Sequence, residues 1–186
     1  MTAQVPDTVR INGTIYDLCG VRGEGLFDPE FHGIETSAPN SACWRGCICG
    51  YAISNDHLVL DTLQLWSQPD RWRSNRQILD RFFGDYLALD DEQPWINAKG
   101  LALLVPFTGG LLLGADFIEE LYVQMGFHPA YKYQHVLELT FETGQLLSQS
   151  DRSIEMEEIR LREGRGDGKR SKDVVAWIND CFRTDY

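Results

Sequence analysis

Three of the chain's five cysteines, Cys43, Cys47 and Cys49, fall within seven positions in the stretch SACWRGCICGYAIS, beside Trp44 and Arg45. Thiols at such density suggest a metal site or a reactive thiol. Structural zinc sites present two C-x₂₋₄-C pairs on turns that let the thiolates converge, and only one half of that pattern is present. On a strand rising about 3.3 Å per residue, Cys47 and Cys49 share a face about 7 Å apart, with Cys43 about 13 Å beyond Cys47. A hairpin turn at Asn55-Asp56 pairs Ser54 with His57, Ile53 with Leu58 and Tyr51 with Leu60. It sets Thr62 opposite Cys49 and Gln64 opposite Cys47, and leaves His57 at the far end. The cysteines are therefore expected as small buried side chains, with no metal and no catalytic role.

Arg45 is the other chemically loaded residue. It shares a strand face with Cys43 and Cys47, and a guanidinium in an apolar strand needs carboxylates, carbonyls or a ligand. An ion pair with Glu24 or Asp28 meets that need, and so does a bound anion. The stretch YVQMGFHPAYKY, residues 122 to 133, is aromatic and marked by Gly126 and Pro129. Such a loop lines a pocket or staples itself to the core. Trp44, Arg45, His128, Tyr131 and Tyr133 are accordingly the candidate binding residues. The four histidines, His32, His57, His128 and His135, show no metal-binding or dyad spacing. The glycine-rich GRGDGKR departs from a phosphate loop at Glu163 and Arg170 and follows no strand, so no cofactor is expected.

The elements that position these residues alternate turn signals with apolar runs. Asn12-Gly13 and Asn55-Asp56 predict hairpin turns, and Glu142-Thr143-Gly144 predicts a third between YQHVLELTF and QLLSQS. Residues 20 to 42 predict a long loop. Ile78, Leu79, Phe82, Phe83, Tyr86 and Leu87 recur at helical spacing, predicting a helix over 74–87. LALLVPFTGGLLLG predicts a buried strand interrupted at Pro106 and at Gly109-Gly110. A short helix is expected from an Asp116 cap to Gly126. DRSIEMEEIRLRE predicts a charged helix, and SKDVVAWINDCF a second one whose Val174, Trp177, Ile178, Cys181 and Phe182 form one stripe. That stripe buries against the body or against a partner. The expected fold class is α+β, a curved or partly closed antiparallel sheet with three to four helices. Residues 1–150 form a β-rich core domain, and residues 151–186 a C-terminal helical appendage packed on it.

At 186 residues and 43% hydrophobic, the chain can bury a core of its own. Its net charge of −11 repels nucleic-acid phosphates and anionic membranes, so the expected partner is a protein, preferably basic. The opening MTAQVPDTVRING lacks the basic and apolar regions of a secretory signal, no stretch reaches a membrane-spanning length, and an odd cysteine count argues for reduced thiols. The expected compartment is the cytoplasm; composition leaves the oligomeric state open.

The stretches ACWRGCICGYAISNDHLVLDTLQL, FTGGLLLG, YVQMGF and LELTFETGQLL together resemble a family of small uncharacterised bacterial proteins. That family carries Trp-Arg-Gly-Tyr before a hairpin, a Tyr-Val-His-Met-Gly turn and a closing hairpin. The resemblance spans roughly residues 9 to 150. Cys47 stands where the family has tyrosine, and Gln124 where it has histidine. It implies one recurring domain and supplies no catalytic residues. Size, charge and the absence of a catalytic constellation together predict an acidic protein-binding module, of immunity or accessory type, without catalysis. The alternative is a small enzyme or ligand-binding domain with a pocket near Arg45, His128 and Tyr131.

Overall fold

Short polar residues that tolerate left-handed backbone occur where the chain must reverse tightly. Asn12-Gly13 (φ 50° and 86°), Asn55-Asp56 (49° and 59°) and Thr143-Gly144 (48° and 82°) each hold two consecutive positive φ values. That is the backbone whose twist matches flanking antiparallel strands. The three turns join β1 (Thr8–Ile11) to β2 (Thr14–Glu24), β3 (Cys47–Ser54) to β4 (His57–Trp66), and β8 (Tyr133–Glu142) to β9 (Gln145–Asp151). The computed structural model describes residues 2–84, 87–88 and 95–163. Its remaining elements are α1 (Trp72–Phe83), β5 (Leu87–Ala88), β6 (Trp95–Leu104), β7 (Thr108–Phe117) and α2 (Ser153–Glu163).

The strands form one nine-stranded sheet in the order β3-β1-β2-β7-β8-β9-β4-β6-β5, and β3 also pairs with β4. The pairings therefore run round a ring, β3-β1-β2-β7-β8-β9-β4, and return to β3. Closure rests on two hairpin tips. His57 pairs with Gln145, the Leu58 amide donates to the Gly144 carbonyl at 2.8 Å, and the Leu146 amide donates to the Asp56 carbonyl at 2.8 Å. Beyond that point the same edge of β4 carries β6, from Val59↔Leu104 to Trp66↔Trp95. The sheet is mixed rather than antiparallel throughout, because β1 lies parallel to β3 with Thr8 beside Gly50 and Val9 beside Tyr51.

A bulge sets which side chains enter the ring. Tyr51 pairs with Leu60, but Gly50 pairs with Thr62, so Asp61 is an extra residue in β4. Leu58 and Leu60 point inward before it, Leu63 and Leu65 after it, and all four are fully buried. Burying each leucine contributes about 1.5–3 kcal/mol relative to exposure. The displaced Asp61 reaches Arg10 of β1 at 2.6 Å, an ion pair that spans β3. The bulge corrects the register predicted for the cysteines: Cys49 lies opposite Leu63 and Cys47 opposite Leu65, one residue beyond Thr62 and Gln64.

The expectation of three to four helices is also corrected, since the described residues contain two α-helices and short 3-10 turns. The helix expected from Asp116 does not form. Strand β7 runs to Phe117, which pairs with Tyr133, and the Ile118 amide bonds the Lys132 carbonyl at 2.9 Å. Those sheet-type bonds occupy the groups that a helix would need, leaving one 3-10 turn at Glu119–Leu121. Helix α1 is shorter than predicted because Gly84, at φ 48°, ends it before Leu87. The residues 107–114 predicted as strand lie in and just before β7, while Pro106 falls in the link from β6. Helix α2 buries Met156 against Cys19, Leu112, Ala130, Tyr133 and Val136, a second apolar cluster on the outside of the sheet. The predicted stripe Val174, Trp177, Ile178, Cys181 and Phe182 lies outside the described residues.

Candidate functional site

Arg45 is held on a turn, not on a strand. Residues 43 to 46 precede β3, with Gly46 at φ 66° and its amide bonded to the Cys43 carbonyl. The partner of Arg45 is Asp7, not Glu24 or Asp28: Nη1 donates to Oδ2 at 2.9 Å and Nη2 to Oδ1 at 2.7 Å. Parallel pairing of β1 and β3 brings Asp7 alongside Cys49, whose amide donates to the same carboxylate at 2.7 Å. Burial disfavours the charge on Arg45, but the Asp7 hydrogen bonds outweigh it and hold the guanidinium proton more tightly than usual. Its outer face covers the Phe127 ring, 5.7 Å from the centroid. Gln4 completes the corner, receiving the Trp44 amide on its side-chain oxygen at 2.9 Å, donating its side-chain amide to the Ser41 carbonyl at 2.8 Å and its backbone amide to the Gly126 carbonyl at 2.7 Å.

The other candidates gather elsewhere. The His128 ring lies 4.7 Å from Phe117 and 5.3 Å from Tyr122, and its Nδ1 is 3.5 Å from Lys132 Nζ. Burial and the Lys132 ammonium lower its pKa to about 4, so the imidazole is neutral at pH 7. Tyr133 is buried and donates its hydroxyl to Asp17 at 2.8 Å. Burial raises the Asp17 carboxyl pKa, an effect that the tyrosine hydroxyl partly offsets. Tyr131 is half-buried against the second cluster, and its carbonyl accepts from Arg160 Nε at 2.8 Å. Arg45 and Trp44 thus form one corner, while His128, Tyr131 and Tyr133 belong to the packing between β7, β8 and α2. Among the described residues no group of three or more His, Cys, Asp or Glu side chains is placed to hold a metal ion.

A groove of about 350 Å³ runs beside α2, lined by Ile118, Gln134, Ser153, Ile154, Glu157 and Arg160. None of the sequence candidates lines it. Arg160 is turned inward, its guanidinium bonded to the Tyr131 and Tyr133 carbonyls at 2.8 and 2.9 Å. Arg152 is likewise tied to Glu138 at 2.8 Å and Glu155 at 3.0 Å. The outer face of α2 carries Ile154, 73% exposed, and Leu161, 56% exposed, two turns apart with Glu157 and Glu158 beside them. The sequence signal was present: isoleucine and leucine seven residues apart lie on the face opposite the buried Met156. The high charge of the helix masked it. Among the described residues no helix is long and apolar enough to cross a membrane. No family model, curated protein or solved structure matches this chain.

Proposed function

We propose that the chain is an acidic protein-binding module that receives a basic, amphipathic segment of another protein on the outer face of α2 and in the adjoining groove. The observation that carries this reading is the pair Ile154 and Leu161, two large aliphatic side chains exposed on a helix whose opposite face is already packed. Exposed single hydrophobes are ordinary; two on one helical stripe beside an open groove with Ile118 on its wall give anchors for a partner's apolar residues. The acidic flank sets the partner's charge. Glu157 lines the groove, Glu119 and Glu120 follow Ile118, and the neighbouring Arg152 and Arg160 are engaged within the protein. A Lys- or Arg-bearing segment gains long-range attraction from this edge and from the −11 chain as a whole.

Affinity capture from the native source with the full chain, set against Ile154→Ser/Leu161→Ser, tests this. The expected result is one stoichiometric partner that the wild-type chain retains and the variant loses, with binding weakened about tenfold or more by raised salt. A partner retained equally by both chains contradicts the assigned face, and a monomer without partner contradicts the function.

A further inference from the structure

The outer face of α2 and the sequence that follows it are matched in spacing, reach and charge. Ile154 and Leu161, exposed on that face, are seven residues apart, so they stand about 10 Å from each other along one side of the helix. Further along the sequence, Val174, Trp177, Ile178, Cys181 and Phe182 recur at three- and four-residue spacing, and Val174 and Cys181 repeat the seven-residue interval. Between the two stretches lies GRGDGKR, residues 164–170, with three glycines. Such a linker reaches about 24 Å when extended, ample for the roughly 8–10 Å between packed helix axes, and its length is ordinary for antiparallel helix neighbours. Charge favours the same contact. Residues 164–172 carry Arg165, Lys169, Arg170 and Lys172 against one acid, Asp167, whereas α2 carries Glu155, Glu157, Glu158 and Glu163 and turns Arg160 into the body. The chain thus holds, directly after the acidic face, a basic and amphipathic stretch of its own.

We propose that residues 171–182 are an intramolecular cover for the outer face of α2, and that a partner must displace this cover to bind. A reversal within 164–170 sets the two stretches antiparallel, with Val174 and Trp177 level with Leu161, and Ile178 and Cys181 level with Ile154. The cover stands on the match of spacing, reach and charge; only its effect on a partner rests on the reading of α2 as the docking face. A short flexible linker holds the segment at an effective concentration of about 1 mM, so a contact of only about 100 μM affinity closes it about 90% of the time. That closure weakens partner binding about tenfold. The face is free for the remaining tenth, so a bound partner still slows exchange in α2 beyond what the cover does.

Cross-linking in the full chain tests the cover without any partner. Cys181 is native, so Ile154→Cys places a second thiol at the expected contact, and mild oxidation should join the tryptic peptides 153–160 and 173–183 within one chain. Phe31→Cys, at a side chain 87% exposed in the Glu30–His32 turn, is the control and is expected to link to Cys181 at least about tenfold more slowly. Trp177→Ser in the full chain should speed hydrogen exchange at 153–161 by up to about tenfold and tighten binding of the captured partner about tenfold. An Ile154→Cys chain that links no faster than Phe31→Cys, or links only between two chains, overturns the cover and leaves the docking face standing. Linking within one chain while no partner is captured supports the cover and counts only against the docking function. Partner affinity unchanged by Trp177→Ser overturns the claim that the cover must be displaced.

Discussion

Replacing Asp7 with asparagine removes the charge around which the Arg45 corner is built. The carboxylate is buried and accepts three N–H groups, two from Arg45 at 2.9 and 2.7 Å and the Cys49 amide at 2.7 Å. Asparagine keeps one acceptor oxygen and points donors at a guanidinium that has only donors to offer. A hydrogen bond to a charged group contributes about 1.5–3 kcal/mol, and a buried amide left without an acceptor costs about 1–3 kcal/mol. The Arg45 side chain is 44% exposed, so water replaces part of what it loses and the lower end of the range applies. The expected cost is about 2 kcal/mol, or about 1 M in a urea midpoint at a slope of about 2 kcal/mol/M. Equilibrium urea unfolding at pH 7 measures it. Arg45→Met in a double-mutant cycle should reveal a coupling of about 1–2 kcal/mol. An Asp7→Asn cost below about 0.5 kcal/mol, or an additive cycle, would refute the view that this clasp holds the N-terminal segment against β3.

Two further predictions concern the packing beneath α2. A Cβ at Gly114 would overlap the Tyr133 ring, so Gly114→Ala should destabilise by about 1–3 kcal/mol in urea unfolding and cost much less in a Tyr133→Ala background; equal costs in both contradict the contact. His128 titrates at about 4 in the fold against about 6.5 when unfolded. Its neutral form favours the folded state, so that stability is complete above about pH 6.5 and is lost as the pH falls towards 4. Allowing for its partial exposure, wild type should lose about 1–2 kcal/mol more than His128→Gln between pH 7 and 4.5, and parallel stability curves would contradict this.

The hairpins were legible because Asn-Gly, Asn-Asp and Thr-Gly state a local backbone requirement that nothing distant overrides. The bulge at Asp61 was also written in the sequence. Leucines at 58, 60, 63 and 65 step by two, then three, then two, and that phase slip is what shifts the cysteine register. Asp116 misled because its capping pattern is local, while the pairing of Phe117 with Tyr133 that overrides it depends on a strand arriving later in the chain. Asp7 escaped notice for the same reason. Nothing near VPDTV indicates that β1 will run parallel to β3, and only that non-local pairing brings the carboxylate to Arg45 and Cys49.

The proposal that α2 is the docking face is tested most directly by hydrogen exchange of the full chain with and without its captured partner. Protection is expected at residues 153–161 and 118–122, with little change at the hairpin tips near 55 and 143. Protection confined to those tips, or to α1, with 153–161 unchanged, would contradict the account.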